Sequence, residues 1–234
     1  MKPAIPNPLA PPSPWLLLSE AGVGFDLARG LLSSTAKLPR GQGPVLVIPG
    51  FQASDFETAL LRRKLGALGY TVYGWGLGRN HGRTGKLLPQ LAERVRALHA
   101  RHACQLKIIG WSLGGVLARD VAREAPEAVE QVVTLGSPVV GGPKYTVFAK
   151  GFRKQGADVD QLAEKANARE ASRPLPCPVT AIYTRRDGIV AWGSCIDPNH
   201  AAVKHLETPA THFGMPFHPH TLRLIAEALT APRG

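Results

Sequence analysis

The 234-residue chain has little of what defines several protein classes. It has only three cysteines, Cys104, Cys177 and Cys195, so it cannot be a small fold held together by a disulfide framework. In a reducing compartment they read as buried small side chains or plain thiols, with a Cys177–Cys195 bridge left open. No apolar run approaches the ~18–20 residues that cross a bilayer. The one apolar burst near the start, Trp15-Leu16-Leu17-Leu18, is too short for the core of a secretory signal and lies among Pro3, Pro6, Pro8, Pro11, Pro12 and Pro14. The expected location is therefore the cytoplasm. Acidic residues are few: 17 Asp and Glu against 28 Lys and Arg, a net charge of +11. The cations are scattered singly with acids between them, with no basic run of five and no basic stripe interleaved with aromatics, so the pattern is not that of a nucleic-acid binder. Contact with anionic substrates or a membrane surface stays open but is not indicated.

The remainder is globular in composition, 44% hydrophobic and 19% charged, and long enough for one well-filled domain. Residues 1–40 read as a Pro-rich arm followed by one short helix over about 19–34, ahead of a domain over 41–234. Val45-Leu46-Val47-Ile48 is a continuous apolar run between Gly43-Pro44 and Pro49-Gly50, the pattern of a strand buried on both faces. Ser54 and Glu57 have capping-box spacing, and a helix should follow to about Leu68, where Gly69 ends it. Further strands are expected at 71–75, 106–109, 131–135, 179–183 and, more weakly, 203–207. Amphipathic helices lie between them, with Leu88, Leu91, Val95 and Leu98 on one face of one, and Leu222, Leu224, Ile225 and Leu229 in the last. Strands alternating with helices imply an α/β fold with a mostly parallel sheet of about six strands and helices on both faces. The alternation lapses over about 141–176, a basic stretch with one helical piece near 159–169; an interruption this long reads as a lid-like insert over a site.

Gly110-Trp111-Ser112-Leu113-Gly114 follows an apolar strand and opens a helix. An abrupt strand-to-helix turn lifts a serine hydroxyl clear of the sheet, and the flanking glycines leave room for the turn. The N–H of Leu113, at the positive end of the helix, would face a developing oxyanion. Two nucleotide-binding readings fail on spacing. Gly82-Arg83-Thr84-Gly85-Lys86 is followed by Leu87, where a phosphate loop needs Ser or Thr. Gly74-Trp75-Gly76 has Arg79 where a dinucleotide fingerprint needs Gly. No cofactor is therefore expected, and Arg79 with Asn80 reads as a structural loop.

The order of several short stretches resembles the α/β-hydrolase superfamily, in particular bacterial esterase- and lipase-like members related to triacylglycerol lipases and inositol-deacylase-like proteins. These are Val47-Ile48-Pro49-Gly50-Phe51, Gly74 to Asn80, Gly110 to Gly115, Thr134-Leu135-Gly136-Ser137-Pro138, Tyr183 to Val190 and Thr211-His212-Phe213-Gly214-Met215. The likeness covers residues 43–140 and 178–230, and it implies a triad in the order Ser112, Asp187, His212. Asp187 follows the fifth strand; Asp197 is its substitute, and Asp120, on the helix after Ser112, fits less well. His212 is preferred over His205, inside a strand, and over His218 and His220, at the entry to the last helix. His200, His218 and His220 could together hold a metal, but no Cys or acid stands at ligand spacing on a rigid element. The second oxyanion donor would be the N–H of Phe51. The sequence has Pro49 where many members carry His, and Trp111 where His is frequent; Trp111 could line an acyl pocket or anchor the core. The implied activity is serine hydrolysis of small-molecule carboxylic esters through an acyl-enzyme. Acyl transfer by the same residues, and a non-catalytic binding module on the same fold, are the alternatives.

Overall fold

A computed structural model describes residues 3–6 and 9–231. All six strands run parallel: β1 (Pro44–Ile48), β2 (Thr71–Gly74), β3 (Leu106–Trp111), β4 (Val129–Leu135), β5 (Val179–Tyr183) and β6 (Lys204–Glu207), in the spatial order β2-β1-β3-β4-β5-β6. The chain leaves β1 toward one edge, forms β2 there, and returns to place β3 on the other side of β1. The order of strands thus reverses between β1 and β3, and the crevice beyond their carboxyl ends is where open α/β sheets bind ligands.

β1 is buried along its whole length because its alternate side chains serve two cores. Leu46 and Ile48 pack with Leu91, Val95 and Leu98 of α4 (Thr84–His102) and with Leu117 and Val121 of α5 (Leu113–Glu124). Val45 and Val47 pack with Leu61 and Leu65 of α3 (Ala59–Ala67) and with Leu222, Ile225 and Leu229 of α8 (Pro219–Thr230). This two-sided burial explains why β1 reads as an unbroken apolar run. Among the described residues no helix is long and apolar enough to cross a membrane.

The structure differs from the sequence reading in three places. The helix expected after Ser54 starts later, at Ala59. Glu57 does accept from the Ser54 N–H at 2.8 Å, but the contact closes a preceding turn, from which the Asp55 carboxylate reaches the Trp75 and Gly76 N–H groups at 2.9 and 3.0 Å. The segment between β4 and β5 carries two helices, α6 (Ala149–Lys154) and α7 (Val159–Ser172), where one was expected. The N-terminal segment forms α1 (Pro14–Ser19), a 3-10 turn (Glu20–Gly22) and α2 (Val23–Leu32) in place of a single helix.

Candidate functional site

β3 ends at Trp111, and α5 begins at Leu113. Ser112 joins them at φ 55°, ψ −123°, a conformation that L-residues rarely hold and that turns the chain sharply out of the sheet. Close packing imposes the two neighbouring glycines: a Cβ on Gly110 would fall on the backbone of Gly114 and Gly115, and one on Gly114 would sit 2.7 Å from the Pro49 carbonyl oxygen. The Ser112 N–H donates to the Leu135 carbonyl at 2.7 Å, so the turn is tied to the end of β4. The Leu113 N–H is the first of α5 and has no intrahelical acceptor.

Phe51 lies in the loop after β1, where a Cβ on Gly50 would come 3.1 Å from the Ser112 Cβ. Buried Asn80 braces this loop. Its side-chain amide donates to the Pro49 carbonyl (3.0 Å), its carbonyl accepts from the Gln52 N–H (2.7 Å), and its own N–H donates to the Ala53 carbonyl (2.8 Å). Arg79 donates to the Gln52 carbonyl at 2.6 Å. These bonds fix Gln52 at a φ of 61°, and the loop role expected for Arg79 and Asn80 takes this concrete form.

Asp187 and His212, both buried, are brought together from 25 residues apart: His212 Nδ1 lies 2.7 Å from Asp187 Oδ2. The other carboxylate oxygen accepts from the Ile189 and Val190 N–H groups at 2.9 and 2.7 Å, which orients the acid toward the imidazole. The neighbouring Gly136 stands at φ +57°, and a Cβ there would come within 2.9 Å of His212 Nδ1 and 3.2 Å of Asp187 Oδ2. Trp111 is buried in the core beneath the imidazole, with ring centroids 5.9 Å apart, and its indole N–H donates to the His212 carbonyl at 3.1 Å. Of the two roles the sequence allows it, acyl-pocket wall and core anchor, this packing describes the core anchor.

Sequence reasoning missed Glu20. Its carboxylate is buried and accepts from three backbone N–H groups: Gly188 (2.8 Å), His212 (3.0 Å) and Phe213 (2.9 Å). One side chain from the N-terminal segment thus fastens the loop bearing Asp187 to the loop bearing His212. Asp26 adds weaker contacts to Thr211, at 3.3 Å to its N–H and 3.4 Å to its hydroxyl. The available signal was that Glu20 and Asp26 are the only acids in the first forty residues and stand in an otherwise apolar stretch.

A cavity of about 470 Å³ opens at Ser112 and Leu113. Its walls include Phe51, Val116, Phe148, Phe152 and Leu162, with Lys165 and Arg169 among the polar lining. Phe148 and Phe152 set their rings 5.4 and 5.6 Å from that of Phe51, so α6 stands over the loop after β1. Polar residues tie α7 to α5: Arg119 pairs with Glu170 (2.6 Å) and Asp197, Arg123 with Glu170 (2.6 Å) and Asp120 (3.3 Å), and Arg169 with Asp120 (3.1 Å).

That network accounts for the other acid candidates. Burial alone would raise the Asp197 pKa, but the Arg119 guanidinium and its hydrogen bond outweigh it and hold the group down to about 2. Asp197 also bonds His200 at 2.9 Å, while burial raises the Asp120 carboxyl above the usual carboxylate range. The set His200, His218 and His220 shares no common partner, because His218 instead caps α8 through the His220 N–H and lies 3.9 Å from Asp26. Glu170, Asp197 and His200 do bring ligand atoms within 4.8 Å of one another, but Arg119 is hydrogen-bonded to both carboxylates, so a cation would have to displace it. The Cys177–Cys195 pairing that the sequence leaves open is not formed: Cys104, Cys177 and Cys195 are free, as plain thiols. Cys195 is buried against the core, and burial pushes the Cys177 thiol up to about 11.

The parallel sheet, the reversal of strand order between β1 and β3, and the elbow at Ser112 define an α/β-hydrolase fold. Solved structures with this architecture include lipase B of Aspergillus fumigatus (TM-score 0.59, 16% identity, 85% of this chain and 55% of that one) and the lipase BlEst2 of Bacillus licheniformis (TM-score 0.63, 15% identity, 85% and 96%). A pimeloyl-[acyl-carrier protein] methyl ester esterase of Sodalis glossinidius (strain morsitans) is 44% identical over 62 residues, a match that spans 26% of this chain and 23% of that protein. No family model matches the chain.

Proposed function

We propose that the protein is a serine hydrolase that cleaves carboxylic esters of small molecules through an acyl-enzyme. The observation that carries this reading is the 2.7 Å contact between His212 Nδ1 and Asp187 Oδ2, taken with the strained elbow that brings Ser112 to an apolar cavity. In this scheme Asp187 orients the imidazole and stabilises its cation, and His212 takes the Ser112 proton as the oxygen attacks the ester carbonyl. The Phe51 and Leu113 N–H groups hold the oxyanion. His212 returns the proton to the leaving alcohol, and water then repeats the sequence to release the acid. The size of the cavity suits a small-molecule ligand, and its phenylalanines and leucines favour an apolar acyl group. Segment 141–176 would set the accepted acyl length as a lid-like cover. The esterase and lipase names of the similar proteins above support the reaction class.

The test is turnover of p-nitrophenyl butyrate together with labelling by a fluorophosphonate probe. Ser112→Ala should lose about 10³-fold or more in kcat and all covalent labelling. Undiminished turnover in that variant would overturn the assignment.

A further inference from the structure

The two N-terminal helices are amphipathic in the opposite sense to the other helices of the domain. The inward face of the segment carries its polar groups: Glu20 and Asp26 are only 5% and 7% exposed and are held by backbone donors of the catalytic-site loops. Fixing those two acids inward sets the rotation of the segment, and the large apolar side chains then point out. Trp15 is 80% exposed, Leu18 66%, Phe25 76% and Leu32 88%, with Leu17, Leu27 and Leu31 also exposed. Seven exposed large apolar side chains within residues 15–32 exceed the scattered single apolar residues of an ordinary soluble surface.

The exposed charges among the described residues of this N-terminal segment have one sign. The only acids in residues 1–40 are the buried pair, whereas Arg29, Lys37 and Arg40 are all exposed. A segment whose exposed side chains include Trp, Phe, Leu and cations, with both of its acids buried, matches an interfacial helix: the apolar side chains enter the acyl boundary while the cations meet lipid phosphates. The segment that carries this face also adjoins the site, since the α1 backbone at Leu16 packs against Gly188, and the next residues, Ile189 and Val190, line the cavity.

We propose that the outward face of α1 and α2 docks the protein on anionic phospholipid surfaces. The lipid is chosen over a second copy of the chain because two such faces would bring like charges together, whereas an anionic bilayer satisfies the apolar side chains and the cations at once. The inference goes beyond ester hydrolysis and does not depend on it, because binding is read without turnover.

The experiment is co-sedimentation with sucrose-loaded vesicles of phosphatidylcholine, with and without 30 mol% phosphatidylglycerol, at low and at roughly 0.5 M salt. The full-length wild type should bind the anionic vesicles at least about tenfold more tightly than the neutral ones, and added salt should narrow the difference. The triple variant Leu18→Ser/Phe25→Ser/Leu32→Ser alters only exposed side chains. It should lose at least about tenfold of the binding to anionic vesicles while keeping its circular dichroism spectrum and its turnover of soluble p-nitrophenyl butyrate. A second variant, Arg29→Gln/Lys37→Gln/Arg40→Gln, should abolish the preference for anionic over neutral vesicles. Equal partitioning of the wild type and the triple serine variant would overturn the proposal. So would a wild type that sediments as a dimer without lipid and becomes monomeric in that variant, because the face would then belong to a second copy. Failure of ester turnover in every form would count against the hydrolase reading and leave the vesicle result intact.

Discussion

Glu20 offers the sharpest test of how the site is held. Glu20→Ala removes the acceptor of three backbone N–H groups at 2.8–3.0 Å and leaves them in a largely buried place. Each hydrogen bond to a charged group is worth about 1.5–3 kcal/mol, and water entering the vacated space would recover part of the loss. A net destabilisation of about 3–5 kcal/mol follows, a large share of the ~5–15 kcal/mol that holds a domain together. With an m-value of about 3 kcal/mol/M, the urea midpoint should fall by roughly 1–1.7 M. Because the carboxylate fixes the backbone of His212 and does not line the cavity, kcat for p-nitrophenyl butyrate should fall about tenfold or more while KM changes little. Glu20→Gln should fall between, since the amide oxygen can still accept but its NH₂ group would face one of the backbone donors. The assays are urea unfolding followed by circular dichroism, and steady-state kinetics at a temperature where both forms are folded. An Ala variant with wild-type midpoint and wild-type kcat would refute the reasoning. A lowered midpoint with unchanged kcat would show that Glu20 holds the fold without placing His212.

Three further outcomes are expected. Gly136→Ala would strain a φ of +57° and push a methyl group toward His212 and Asp187, so kcat should fall at least about tenfold with less effect on KM; unchanged kcat would mean that the pair tolerates displacement. Asp197 has a folded pKa of about 2, below its unfolded value near 3.9, so its contribution is complete above about pH 4 and is lost as pH falls toward 2. Asp197→Asn should therefore remove about 2 kcal/mol at pH 7 and flatten the acid side of the stability curve, measured by urea unfolding from pH 7 to pH 2.5. An Asn variant as stable as wild type at pH 7 would contradict it. In native protein Ellman's reagent should react quickly with the exposed Cys104 and far more slowly with Cys177 and Cys195, whose burial disfavours the thiolate, and three thiols should react after denaturation; fewer than three would reveal a disulfide.

β1 was legible because burial on both faces writes an unbroken apolar run, Val45 to Ile48, and such a run has few other readings, whereas the edge strands β2 and β6 are half-buried or exposed and carry a weaker mark. The elbow was legible for a similar reason: a strand meeting a helix at Gly-x-Ser-x-Gly is a local event whose steric demands appear in five consecutive residues. The unexpected insert helix, α6, has only six residues and a composition rich in Lys and Arg, too short to display a period. The amino-acid sequence by itself therefore determined the alternation of strands and helices, the parallel sheet and the sharp turn at Ser112, because each follows from neighbouring side chains. Tertiary structure alone decided that Asp197 is committed to Arg119 and that Glu20 crosses from the N-terminal segment to clasp two distant loops, and it supplied the contact between Asp187 and His212 that the family resemblance only implied. A carboxylate carries no local mark of its partner. Whether it becomes an orienting acid, half of a buried ion pair or a cap for backbone donors depends on which charges and N–H groups the folded chain brings within about 3 Å of it.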